Sequence, residues 1–163
     1  MAGPATGTLA SDPAIFPPRT QEFGTYDATG PRAAATGSYR EWVGAHGQIF
    51  FEYYIDEAVT LSTSGATTDT TATIPAGTQQ VIIASRVTTT ITTAVNYSRG
   101  LSGAATRFTA ATTNVTAGDT DAGGSAASQY ATATAIRITA NATPGAGAIR
   151  IVAKCIGVRP PTS

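Results

Sequence analysis

The stretch TAIRITANATPGAGAIRIVAKC, residues 134–155, alternates apolar residues with Thr, Arg and Lys, pauses at a Gly/Pro-rich tip, then alternates again. A period of two puts every second side chain on one face of a strand, so the stretch reads as a β-hairpin near the end of the chain. The same period recurs upstream. In QIFFEYYIDEAVTLS, Ile49, Phe51, Tyr53 and Ile55 share one face, and Phe50, Glu52, Tyr54 and Asp56 share the other. Both faces carry aromatics, which predicts cover on both sides: the core on one, and a neighbouring chain or an arm on the other. Phe50 and Tyr54 are therefore the candidate oligomer contacts. QQVIIASRVTTTITTAVNYSRG is rich in β-branched residues and reads as a strand. Residues 107–116 read as a weak strand within a long polar, Gly-rich loop. Ser64-Gly65 and Pro75-Ala76-Gly77 carry turn signals, and Pro160-Pro161 stop the last strand. SYREWVGAHG, residues 38–47, reads as a short helical turn ended by Gly44 or Gly47. Short strands with no long helical pattern predict an all-β antiparallel β-sandwich or jelly roll over residues 39–163.

Residues 1–38 differ from the rest. They hold more than half of the nine prolines and show no apolar periodicity. Pro17-Pro18 and Pro31 forbid a continuous helix or a central strand. Apolar anchors are spaced through the segment: Leu9, Ile15, Phe16, Phe23 and Tyr26. Such a composition suits a disordered tail or an extended arm that orders on a partner. The aromatics favour the arm, since a solvated tail has no use for them. Ile15, Phe16, Phe23 and Tyr26 are the expected partner-binding anchors.

The charge pattern excludes whole classes of function. Net charge is zero, 12% of residues are charged, and Lys154 is the single lysine. Phosphate neutralisation needs a Lys/Arg excess, so nucleic acid is not an expected partner. No run of about 18 apolar residues is present, so no membrane span is expected. The first residues lack a basic start followed by an apolar run, so no secretory signal is expected, and the chain is expected to remain in a cytoplasm or in something assembled there. Ala, Thr and Gly dominate, giving a polar but weakly charged surface suited to packing in a large assembly. Cys155 has no cysteine to pair with and sits in an alternating segment, where a small buried apolar role is expected.

No catalytic constellation emerges. His46 is the only histidine, and with Cys155 far away in sequence no zinc set forms from His and Cys. Asp119 and Asp121 lie in a Gly-rich loop but lack the downstream Glu of a calcium loop, so they read as solvated and not as a metal site. Asp56-Glu57 and Glu52 could offer paired carboxylates for glycoside hydrolysis, but Glu52 and Asp56 share a strand face at about 13 Å, too far for the pair to act together. Asn-x-Ser/Thr triplets at Asn96, Asn114 and Asn141 are expected by chance in a Thr-rich chain. No cofactor, no metal and no catalytic residue is expected.

Part of the chain resembles a known kind of module. IPAGTQQVIIASRVTTTITTAVNYSRGLSGAATRFT and YATATAIRITANATPGAGAIRIVAKCIGVRPPTS resemble the small β-rich module at the C-terminus of tail-associated proteins of phages and phage-like gene transfer agents. The matching positions are Ile74-Pro75-Ala76-Gly77, Ser85-Arg86-Val87, Arg107-Phe108 and Ile136 to Val152, and the likeness covers about half of the chain. It implies a non-enzymatic virion protein. There the module follows a longer tail-protein region, whereas here a short Pro-rich arm takes that place. An arm joined to a β-sandwich suggests a capsid decoration (cement) protein or head fibre. Its expected partners are a major capsid protein or another virion protein and two further copies of itself, in a homotrimer within the virion. The alternative is a tail-fibre or tail-tip module that binds a host receptor or surface glycan.

Overall fold

The structure, a computed structural model, describes residues 21–23, 38–43 and 49–159. Wherever apolar residues alternate, a strand forms. In order these are β1 (Gln21–Phe23), β2 (Ser38–Val43), β3 (Ile49–Thr60), β4 (Thr67–Ile74), β5 (Thr78–Thr92) and β6 (Tyr97–Leu101). They are followed by β7 (Ala104–Thr112), β8 (Thr120–Asp121), β9 (Ser125–Ala127), β10 (Thr134–Ala140) and β11 (Ala146–Arg159). The described residues contain no helix, and so none long and apolar enough to cross a membrane.

Two antiparallel sheets face each other. The larger runs β1-β2-β3-β11-β5-β8, with β9 also on β5, and the smaller runs β4-β10-β6-β7. This is the jelly-roll order. Taking β3 as the first strand of the roll, and β8 and β9 together as its sixth, the first, eighth, third and sixth strands share one sheet and the second, seventh, fourth and fifth the other. The expected β-sandwich or jelly roll is thus the observed fold, with β1 and β2 extending the larger sheet past β3.

The core lies between the sheets. β3 contributes Phe51, Ile55 and Val59, β5 contributes Val81, Ile83 and Val87, and β11 contributes Ile149, Ile151, Ala153 and Cys155, all buried. Ile74, Tyr97, Phe108, Ile136 and Ile138 face them from the smaller sheet. Each such Ile, Val or Phe stabilises the fold by about 1.5–3 kcal/mol on burial. Gly157 stands opposite Phe51 in the ladder, and any Cβ there would collide with the Phe51 ring.

Three expectations need correction. First, residues 134–155 are not a hairpin. β10 pairs with β4 and β6, while β11 pairs with β3 and β5, so the two strands lie in opposite sheets. Each has a fully apolar inward face, and setting Ile136 and Ile138 across the core from Ile149 and Ile151 buries both faces at once. The connecting turn is tied to the neighbouring corner, where Asn141 Oδ1 accepts the Val95 and Asn96 amides at 3.0 and 3.1 Å. Second, residues 38–43 form a strand and not a helical turn. β2 adds to the free edge of β3 in the register Trp42↔Phe50 and Arg40↔Glu52, and ladder pairing outweighs local preference. Third, the β-branched run from residue 79 is two strands, β5 and β6, in different sheets. Its break is the corner at Thr93, which has a left-handed φ of 72°. The loop expected to hold a weak strand at 107–116 contains β7, which starts earlier, and the short β8 and β9.

Candidate functional site on the outer face of the larger sheet

The even-numbered residues of β3 point away from the core, as the alternation predicts. Phe50 is 38% exposed, and Tyr54 is half-buried four residues along the same face. Antiparallel partners share a face. The register therefore brings Trp42 and Val158 beside Phe50, and Lys154 beside Tyr54 with Ile82 next to it. Ile82 and Val152 are 44% and 46% exposed. The outer face thus carries a row of large apolar side chains across four strands.

The charges among them are already paired. Lys154 Nζ meets Glu52 Oε1 at 2.6 Å, the Tyr54 hydroxyl donates to Glu52 Oε2 at 2.8 Å, and the ammonium lies 5.5 Å from the Tyr54 ring centre. Burial would raise the Glu52 carboxyl, but hydrogen bonds from Lys154 and Tyr54 outweigh it and hold the group below its ordinary value. The same bond to Glu52 pushes the Lys154 ammonium up. Arg150 grips Asp56 with two parallel bonds of 2.6 and 2.7 Å, which raise the guanidinium. Arg86, opposite Arg150 in the ladder, is exposed, and its side chain carries no ion pair or hydrogen bond among the described residues.

Connected concavities run along this face. One of about 410 Å³ is lined by Tyr54, Ile82, Val152, Lys154, Ala122 and Gly123. It shares Ala84, Ala122 and Val152 with a second of about 340 Å³, which leads to Arg86 and Arg150. The β8–β9 segment forms one wall. Gly123 permits this, with φ of 41° and a Cβ position occupied by the Ile83 carbonyl, while Ile83 N donates to Gly124 O at 3.0 Å.

The remaining chemical candidates are committed elsewhere. Glu57 turns inward and accepts the Thr71 and Ala72 amides of β4 at 2.7 and 2.8 Å. Asp119 accepts the Thr116 amide at 2.9 Å, and Asp121 pairs with Arg99 at 2.7 Å. Among the described residues no three His, Cys, Asp or Glu side chains are grouped to hold a metal ion. Cys155 is fully buried, and burial pushes its thiol up to about 12. Of the arm anchors, Phe23 lies in β1 opposite Tyr39. Ile15, Phe16 and Tyr26, and also His46, lie outside the described residues.

Sequence reasoning found Phe50 and Tyr54 on this face but missed Trp42, Ile82, Val152 and Arg86. The outward parity of Ile82 between the buried Val81 and Ile83 was visible in the alternation. Trp42 was hidden by the helical reading of its segment.

No family model matches the chain, and no curated protein matches it. Among solved structures it is similar to a chain of the cyanophage Pam1 capsid asymmetric unit, with a TM-score of 0.47 and 18% identity. That likeness covers 82% of this chain and 99% of the other.

Proposed function

We propose that this protein is a non-enzymatic structural component of a phage virion, a decoration or cement protein that binds the capsid surface as a homotrimer. The observation that carries the reading is the outer face of the larger sheet. In its apolar row Phe50, Ile82 and Val152 are exposed and Trp42 and Tyr54 half-buried, while Glu52, Asp56, Lys154 and Arg150 neutralise one another. A face with its carboxylates spent in ion pairs suits contact better than proton transfer. The resemblance to phage modules adds to this, since Ile74 to Gly77 form the β4–β5 turn and Ser85 to Val87 lie in central β5.

In this reading Phe50 and Tyr54 meet a neighbouring subunit, and Ile15, Phe16, Phe23 and Tyr26 fasten the arm to a partner in the particle. Extended, residues 1–20 ahead of β1 would reach on the order of 65 Å. The resemblance to tail-associated modules favours a second reading, a tail-fibre module binding a receptor or glycan. Deletion of residues 2–37 tests the first. The shortened protein should fold but fail to load onto particles stripped of the native protein. Loading at wild-type level would place the fastening surface on the sandwich and overturn the role of the arm.

A further inference from the structure

The trough on the outer face ends at Arg86. Arg99, Arg137, Arg150 and Lys154 each have a carboxylate partner, and Arg86 has none among the described residues. It is exposed, and its ladder neighbour across β5–β11 is another arginine, Arg150. Like charges directly opposite one another are unfavourable unless an anion joins them. From Arg86 the trough runs to the apolar patch of Ile82 and Val152. Arg86 and Ile82 are four residues apart on the same face of β5, about 13 Å. The fitting occupant is an extended segment with a carboxylate and a large apolar side chain four residues apart.

The chain has such a segment. In LASDPAIF, residues 9–16, Asp12 and Phe16 are four residues apart, with Ile15 adjoining. Pro13 favours extended backbone around it. We propose that residues 9–16 of a neighbouring copy of this chain dock in the trough, with Asp12 on Arg86 and Phe16 on the Ile82–Val152 patch. The tether to β1 disfavours a chain filling its own trough. Gln21 enters β1 in the row of Glu41, Phe51, Gly157 and Thr78, four strands from β5 and four residues short of Ile82. Four strand spacings, about 19 Å, and four residues, about 13 Å, put Ile82 about 23 Å away. The five residue steps from Phe16 to Gln21 span about 17 Å. A contact of arm on one copy with trough on the next is heterologous, the kind of contact from which a closed ring such as a trimer is built.

The inference rests on the reading of the arm as a partner-binding element, and names another copy as the partner of its first part. The test is charge exchange in the full-length protein, read by sedimentation equilibrium. Asp12→Arg and Arg86→Asp should each weaken association about tenfold or more, the scale of one close charge pair at an interface. The double variant should restore it to within about threefold, which no folding defect of a single variant can mimic. A monomeric wild type, unaffected single variants, or a double variant no better than the singles would overturn the inference. Loading onto stripped particles separates the two readings. If Asp12→Arg blocks loading while association is unchanged, the arm engages another virion protein, and only the docking proposed here fails.

Discussion

Replacing Asp121 with Asn should be among the most damaging single changes in the domain. Arg99 lies on β6 of the smaller sheet with its side chain fully buried. Its Nη2 meets Asp121 Oδ2 of β8, on the larger sheet, at 2.7 Å, an ion pair held by distance without hydrogen-bond alignment. Nε reaches Thr109 Oγ1 at 3.3 Å, and Nη1 has no partner among the described residues. The guanidinium therefore has no second anion to fall back on. Removing one member of a buried pair costs about 3–5 kcal/mol, because the other charge stays desolvated. Asp121 keeps 21% of its side-chain surface in water, which places the loss at the lower end, about 3 kcal/mol. For a chain of this size that lowers the melting temperature by about 6–12 °C. Urea unfolding of the wild type, Asp121→Asn and Arg99→Met/Asp121→Asn measures it. The double variant, with no stranded charge, should recover most of the loss. A loss below about 1 kcal/mol for Asp121→Asn, or a double variant as unstable as the single, would refute the reasoning.

Three further outcomes are expected. Cys155 should resist alkylation at pH 8 in the folded protein and react on unfolding, because burial raises its thiol to about 12; its neutral form stabilises the fold below pH 9.0, and this is lost as pH climbs above that value. Labelling of the native protein would contradict the burial. The Glu52 and Asp69 carboxyls are both held below their ordinary values of 4.5 and 3.8, so their contribution is complete above those values and is lost as pH falls through the lower folded ones. Glu52→Gln should flatten the acid limb of a stability–pH curve, and an unchanged limb would contradict this. Glu57→Ala should cost about 1–2 kcal/mol, since two β4 amides lose a charged acceptor. It should also raise self-association by freeing a strand edge, as light scattering would show.

The alternation in the sequence was enough to read the class of fold and the two faces of β3, because side-chain parity is local. Ile55 and Phe51 are fully buried and Phe50 exposed, as their positions require. Partner strands are not local. Residues 134–155 carry a hairpin's pattern, yet a jelly roll puts β10 and β11 in opposite sheets, and no feature within the stretch distinguishes the two arrangements. The Arg99–Asp121 pair was invisible for the same reason, since it joins positions brought together only by closure of the sandwich. Trp42 was lost to a Gly-flanked segment whose strand state depends on the edge of β3.

The central claim is that this chain is a decoration protein on a capsid, and a reconstruction of the particle that carries it tests that claim most directly. The account predicts density for the jelly roll on the outside of the capsid at symmetry-related sites, in copies numbering in the hundreds, grouped in threes. It also predicts that the larger sheet's outer face is covered. Density confined to the tail or its tip, in a few copies, would contradict the account and establish the receptor-binding alternative.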